Sequence, residues 1–290
     1  MSDQQLQHLT DSVAYLPADH ETDRPILAAI SGKDRTLVLD AGNSPAHARF
    51  FLTQVAKLDR PRPELVAITH WHWDHVFGMK EMGLPSIAHH ETKTMLQRLL
   101  PYDWSDEALA HRVEQGSEIP FCADMIKKEF PPAIRGEIAI VLPTITFADQ
   151  IEIELGGITC RMDHVGGDHA HDSAVLYVEQ ERVLFLGDAL APDIYTTERN
   201  YTTAGFLALL ERIAAYPAEW YVESHGTPLP RAQFWQEMDE MRAVALLTEQ
   251  CHGAREEIME RLPENIGRAL REDDAQLVQY FISGWKKNRS

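Results

Sequence analysis

The chain has 290 residues, of which 44% are hydrophobic, and a formal net charge of −18 at pH 7. This hydrophobic content is ordinary for a globular protein with a substantial core, and the length fits one large domain or two small ones. The negative charge argues against a nucleic-acid partner, because it would repel a phosphate backbone. No apolar run is long enough to cross a bilayer, so no membrane partner is expected.

The beginning of the chain and its cysteines favour a cytoplasmic location. Residues 1–8 have no basic flank followed by an apolar stretch, which predicts that there is no secretion signal. Cys122, Cys160 and Cys251 are odd in number, far apart and outside any CxxC pair, which is typical of reduced, buried thiols. We therefore expect a small-molecule substrate, and we leave self-association into a homo-oligomer open.

Apolar patterning and turn residues predict alternating strands and helices along the chain. Ser44 and Pro45 are typical of the start of a helix, and Gly156-Gly157 is typical of a hairpin turn. The predicted strands cover 13–16, 26–30, 37–39, 65–69, 151–155, 158–162, 175–178, 182–186 and a run that ends just before His225. The predicted helices cover 45–58, 91–100 and 203–215.

Two segments lie outside this alternation. Residues 101–143 contain bulky apolar groups between several prolines, and we predict a helical insertion that caps the site through Trp104 and Phe121. The alternative is a peripheral insertion that packs on itself. Residues 231–290 show apolar residues at helical spacing, which predicts a helical extension packed on the domain formed by residues 1–230.

The segment from Thr69 to His75 concentrates metal-competent side chains. His70, His72, Asp74 and His75 place three imidazoles and one carboxylate within six positions. Imidazole nitrogen and carboxylate oxygen are preferred ligands of zinc and neighbouring transition metals. The alternative, a polar loop with solvated histidines, explains this density less well. The segment therefore predicts a metal site, and its alternating side-chain directions allow two ions.

Directly after each of three predicted strands comes a residue that can bind a metal. His70 follows the run 65–69, Asp188 follows 183–187, and His225 follows 220–224. Ligands gathered at the carboxyl ends of strands are a recurrent way to build a site on an open α/β sheet. We therefore expect these three side chains to meet.

The order His-x-His-x-Asp-His, a distant His, an Asp after a strand and a final His resembles the metallo-β-lactamase superfamily over about residues 12–230. The resemblance implies an α/β fold, a four-layer αββα sandwich, and two divalent metal ions. Zinc is expected first, with iron or manganese as alternatives. The resemblance also implies the ligands of each metal: His70, His72 and His169 for the first, and Asp74, His75 and His225 for the second. Asp188 would bind both metals.

The third histidine is the least regular match. The family often has Gly-His-Thr-x-Gly-Ser where this chain has Asp168-His169-Ala170-His171-Asp172-Ser173. We assign His169 because Ser173 then falls four residues later, as in that pattern. His171 and His164 remain the alternatives.

The resemblance also implies the reaction. We expect a metal-dependent hydrolase in which a metal-bridging hydroxide attacks an ester-like, thioester or lactone bond, with Asp74 orienting the nucleophile or passing a proton. Asp188 and the absence of a signal argue against secreted lactamases. Many lactonases of the superfamily have Tyr where this chain has Ala191, and Tyr195 is a substitute that would contact substrate. The alternatives are an iron-dependent redox enzyme and a phosphodiesterase or nuclease.

Overall fold

The computed structural model describes residues 5–289, and in this part of the chain the strands form two sheets. In the first sheet the strands lie side by side in chain order. They are β1 (Gln7–His8), β2 (Val13–Leu16), β3 (Leu27–Ser31), β4 (Thr36–Leu39), β5 (Pro63–Ala67), β6 (Ser86–His89) and β7 (Ile145–Phe147). The second sheet has the spatial order β13-β12-β11-β10-β9-β8. Its strands are β8 (Gln150–Glu154), β9 (Thr159–His164), β10 (Ala174–Val178), β11 (Val183–Gly187), β12 (Trp220–Glu223) and β13 (Leu229–Pro230).

Helices cover the outer face of each sheet. They are α1 (Pro45–Val55), α2 (Trp73–Val76), α3 (Met79–Met82), α4 (His90–Leu99), α5 (Asp106–Glu114), α6 (Pro120–Glu129), α7 (Thr203–Ala214), α8 (Arg231–Gln250), α9 (Arg255–Ile266) and α10 (Asp274–Lys287). One buried cluster, which includes Ile30 and Phe185, lies between the sheets. Two further clusters join each sheet to its own helices. This arrangement confirms the predicted αββα sandwich.

The nine predicted strands are present with shifts at their ends, whereas β1, β6, β7 and β13 were not predicted. Helix α1 ends at Val55, three residues before the predicted end, and Ser44 caps it by accepting from the amide of His47. Strand β5 ends at Ala67, although the amide of Ile68 still donates to the carbonyl of Ile87. Residues 68–72 therefore leave the sheet as a short connection into α2, and this connection carries the first two histidines of the dense segment.

The insertion packs into the core beside the first sheet, and the tail packs into the core beside the second sheet. Trp104 and Phe130 of the insertion are buried with Phe77, and the rings of Phe77 and Trp104 have centroids 4.9 Å apart. In the tail, Phe281 stacks on Tyr201 at 5.0 Å. The helical extension thus packs on the second sheet, while a domain boundary near residue 230 stays a prediction. Within residues 5–289 no helix combines the length and the apolar character that crossing a membrane requires.

Candidate metal centre

The carboxyl ends of parallel strands bring the candidate ligands to one edge of the sandwich. Strands β4 and β5 pair in parallel, and so do β11 and β12. His70 follows β5, Asp188 follows β11 and His225 follows β12, while His169 lies on the connection between β9 and β10. Because parallel strands end at the same edge, residues far apart in sequence converge there. The side chains of Asp188 and His225 lie 3.5 Å apart there, and the ring of His70 lies 4.2 Å from that of His75, which belongs to the same group as Asp188 and His225.

The first group consists of His70, His72 and His169. One ring nitrogen from each lies within 4.8 Å of the others, and all three residues are at least nine-tenths buried. The Nε2 atoms of all three have no hydrogen-bond partner. Nδ1 of His169 lies 3.0 Å from the carbonyl oxygen of Pro192, and such a bond leaves Nε2 as a free lone pair. Burial lowers the pKa of all three, so the group is neutral and suited to a cation.

The second group consists of Asp74, His75, Asp188 and His225. Oδ2 of Asp74 lies 3.0 Å from Nε2 of His75 and 3.1 Å from Nε2 of His225. Oδ2 of Asp188 lies 3.5 Å from Nε2 of His225 and also 3.5 Å from Nε2 of His169 in the first group. Asp188 therefore faces both groups, which is the position expected of a carboxylate shared by two ions.

The electrostatics of the second group differ from those of the first. Burial opposes charge on each member, but the imidazoles and carboxylates attract one another more strongly. The pKa values of Asp74 and Asp188 are therefore held below their usual range, and those of His75 and His225 above it. Protons on His75 and His225 thus balance the negative charges of the two carboxylates in this group. A divalent cation would take the place of these protons.

Two carboxylates outside the groups hold their histidines in place. Asp40 accepts from the amide of Thr69 at 2.8 Å, and its Oδ2 lies 2.8 Å from Nδ1 of His75. Asp23 has its Oδ1 3.5 Å from Nδ1 of His225, and burial and Asp74 raise the pKa of Asp23 to about 7. Sequence analysis did not identify either residue. The signal available for Asp40 was its position directly after an apolar strand, as for Asp188.

The two alternatives to His169 lie elsewhere. His171 is exposed, and neither it nor His164 belongs to the first group. The ring of His164 stacks on His89 at 3.8 Å, and its Nε2 lies 2.7 Å from the carbonyl oxygen of His171. With Glu91 these two rings form a separate set of metal-competent side chains.

A cavity of about 680 Å³ opens beside the first group, with His72 and His169 in its wall. Tyr195 also lines this cavity, and its ring lies 5.3 Å from that of His72. Trp104 does not line it, because that side chain is buried in the core, and Phe121 lies outside it with 41% of its surface exposed. The insertion reaches the cavity instead through Tyr102 and residues 116–118.

Comparison with other proteins places this geometry in a family. A model of the metallo-beta-lactamase superfamily matches residues 27–225. The linear primary-alkylsulfatase of Pseudomonas sp. (strain ATCC 19151) is 24% identical over 224 residues, which are 69% of this chain and 41% of that protein. The chain therefore spans well under half the length of this relative.

Solved structures show the same fold. The stereoselective inverting sec-alkylsulfatase Pisa1 from Pseudomonas sp. matches with a TM-score of 0.66 and 13% identity over 98% of this chain and 50% of its own. A metallo-beta-lactamase from Pontibacter korlensis matches with a TM-score of 0.55 and 19% identity over 81% of this chain and 97% of its own. The matched residues include every candidate ligand, and the chain belongs to the metallo-beta-lactamase superfamily.

Proposed function

We propose that this protein is a dinuclear metal-dependent hydrolase that cleaves an ester-like, thioester or lactone bond in a small molecule. One observation carries the proposal: two groups of buried imidazoles and carboxylates face one another, and Asp188 lies within 3.5 Å of a histidine from each. Three Nε2 atoms of the first group are buried without a partner, which fits a bound cation better than an inert core.

The donor set fits catalytic metal ions. Structural zinc sites are usually closed and rich in cysteine, whereas these groups offer only imidazole and carboxylate beside an open cavity. Zinc is the ion we propose first, with iron or manganese as alternatives. When bound, such ions lower the pKa of water toward ~7 and polarise the oxygen of the bond under attack.

The chain's own residues would orient this chemistry. His70, His72 and His169 would hold one ion, Asp74, His75 and His225 the other, and Asp188 both. Asp74 is also positioned to orient the nucleophile or pass a proton to the leaving group, because its carboxylate lies at the junction of His75 and His225. The largely buried setting strengthens these interactions.

The cavity supports a small-molecule substrate. Its volume of about 680 Å³ is in the range of pockets that bind such ligands, and Tyr195 offers a hydroxyl and a ring next to His72. The strong negative charge of the chain gives a nucleic-acid backbone no favourable field. We accordingly propose a cytoplasmic small-molecule hydrolase, with residues 1–230 as its catalytic domain and residues 231–290 as an extension of that domain.

Sulfate-ester hydrolysis is a second candidate. It is favoured by the likeness to two alkylsulfatases, one of which matches 98% of this chain including most of the helical extension. A sulfate ester presents an oxyanion that metal ions can bind and a carbon chain that the apolar part of the cavity wall, which includes Met95 and Leu99, can hold. The identities of 24% and 13% leave the choice between carboxylic and sulfuric esters to experiment.

The test is a substrate panel with metal-replete protein. Esters, thioesters, lactones, lactams, alkyl sulfates and phosphodiesters are assayed in air and under anaerobic conditions, beside the His70→Ala and Asp188→Ala variants. We expect turnover of an ester-like or sulfate-ester bond that needs no oxygen and that both substitutions abolish. Turnover that stops without oxygen would favour the iron redox alternative, and turnover unaffected by either substitution would refute the assignment.

A further inference from the structure

The walls of the cavity beside the first group are both aromatic and acidic. Trp71 and Tyr195 line it with their ring centroids 5.5 Å apart, and Leu99 and Met95 add aliphatic surface. Aromatic faces with nearby carboxylates form the kind of surface that recognises ammonium groups, because the ring quadrupole and the negative charge both attract a cation. The composition of the wall therefore favours a substrate with a positive charge.

The charge balance of the wall is more extreme than that of the whole chain. Among the described residues that line the cavity, Arg98 is the one arginine or lysine. The carboxylates in the wall are Glu91, Glu118, Asp168, Asp172 and Asp193. The chain as a whole has 27 basic and 45 acidic side chains, so a ratio of one to five is a local excess of negative charge.

Two of these carboxylates already have hydrogen-bond or ion-pair partners within the protein. Asp168 accepts from the amide and the hydroxyl of Thr202, both at 2.8 Å. Asp193 lies 3.0 Å from Nζ of Lys287, which neutralises it. These two side chains hold the loops of the wall in place, and they leave less charge for a ligand.

Of the carboxylates in the wall, Glu91, Glu118 and Asp172 form no ion pair within 4 Å with a described residue. Burial raises the pKa of Glu118, and the charge of Arg112 partly opposes that rise. Oε1 of Glu118 accepts from the amide of Ile119 at 3.0 Å and from the hydroxyl of Tyr195 at 3.2 Å, which leaves Oε2 for a ligand. Asp172 is 1% exposed, and its near neighbours are the hydroxyl of Thr92 and the backbone amides of Asp172 and Trp71. A buried carboxylate is costly unless a positive charge lies near it.

We propose that this cavity binds a cationic, ammonium-bearing end of the substrate, against the aromatic wall of Trp71 and Tyr195 and beside the carboxylate of Glu118. The inference rests on the hydrolase function proposed above and names its substrate class, an ester-like compound with an ammonium group in its alcohol part. His72 and His169 are in the same wall, so a molecule held in this way has its other end toward the candidate metal centre.

An anionic end is disfavoured at the same place. Glu118 already receives hydrogen bonds on one oxygen and would face a second negative charge, and repulsion is poorly screened because Glu118 is buried. A neutral end fits the apolar surface but leaves the carboxylates unmatched. The expected order of preference is therefore cationic, then neutral, then anionic.

Three acetate esters of similar size test this order on the metal-replete protein. Their alcohols are choline, its neutral isostere 3,3-dimethylbutanol, and the anionic 2-hydroxyethanesulfonate. We expect kcat/KM to be about tenfold higher for the choline ester than for the neutral ester, and lowest for the anionic ester. Equal values for the three esters would overturn the ammonium proposal and leave the hydrolase proposal intact.

Glu118→Gln isolates the charge. The amide keeps an oxygen for the donors of Ile119 and Tyr195, so the fold is preserved while the negative charge is lost. We expect the preference for the choline ester, measured as the ratio of its kcat/KM to that of the neutral ester, to fall about tenfold. Glu114→Gln removes the same charge from an exposed position on α5 of the same insertion and should leave this ratio unchanged.

Calorimetry can compare the binding of choline with that of 3,3-dimethylbutanol. This measurement tests the ammonium site without requiring that any ester is cleaved. Tighter binding of choline that Glu118→Gln weakens supports the ammonium site, even if no ester of the series is cleaved. Equal binding of the two alcohols, or choline binding that Glu118→Gln leaves unchanged, would overturn it.

Discussion

Asp40→Asn should lower the affinity of the second site for its metal ion and leave the affinity of the first site unchanged. Asp40 is 1% exposed, and its Oδ2 lies 2.8 Å from Nδ1 of His75. A carboxylate at this distance keeps the proton of His75 on Nδ1 and leaves Nε2 as a lone pair for a metal. The amide of asparagine presents a donor instead, which favours the tautomer with the proton on Nε2. In that tautomer His75 cannot bind a metal.

The size of the effect follows from these contacts. Loss of such an outer partner typically lowers metal affinity by ~10–100-fold, or about 1.4–2.8 kcal/mol. The backbone should not oppose the change, because Asp40 has φ of +57° and asparagine adopts this left-handed region as readily as aspartate. The amide of Thr69, which donates to Oδ1 of Asp40 at 2.8 Å, still finds an acceptor in the asparagine oxygen.

Competition with a chromophoric chelator measures the affinity of each site. We expect one of two bound ions to be released about 10–100-fold more easily from Asp40→Asn, while the other stays at its original affinity. Asp59→Asn, an exposed change after α1, is the control and should alter neither. Parent-like affinity at both sites, or equal loss from both, would refute the role given to Asp40.

Three further predictions concern the third histidine, the tail and acid stability. His169→Ala should empty the first site in metal titrations, whereas His171→Ala should leave both ions bound; the reverse order would mean that the motif is misplaced. Gly284→Ala would put a Cβ 1.9 Å from a backbone carbonyl, so it should lower the unfolding free energy by about 1–3 kcal/mol in urea titrations, unlike Gly136→Ala in open space. Burial lowers the pKa of His47 to about 3, so the native state stays neutral while the unfolded state takes up a proton below pH ~6.5. His47 should therefore contribute a loss of stability of ~1.4 kcal/mol per pH unit between about pH 6 and 3, and His47→Leu should show a slope shallower by that amount; parallel slopes would contradict the assignment.

The first candidate ligands could be predicted because their signal is local. His70, His72, Asp74 and His75 lie within six positions, and no ordinary core or surface segment needs that density. Asp188 was predictable for a different reason: it ends an apolar run that is buried throughout as β11, and strand ends at one edge gather polar residues. The alternation of apolar runs predicted strands and helices, and the resemblance to the superfamily implied how they are layered.

The supporting residues could not be predicted because their partners are distant in sequence. Asp40 acts on His75, 35 positions later, and a single aspartate after a strand has many explanations. For Trp104 and Phe121, aromatic character predicted neither burial nor exposure. Trp104 packs into the core, while Glu118, a residue with no distinctive sequence context, lines the cavity from the insertion. Tertiary packing decides such cases.

The central claim is a pair of metal ions shared by Asp188. A crystal structure of protein purified without chelator, with anomalous data collected above and below the zinc edge, tests it most directly. We predict two peaks about 3.5–4 Å apart, one beside His70 and one beside His225, with the carboxylate of Asp188 contacting both. A single peak, or Asp188 turned away from either ion, would contradict the account.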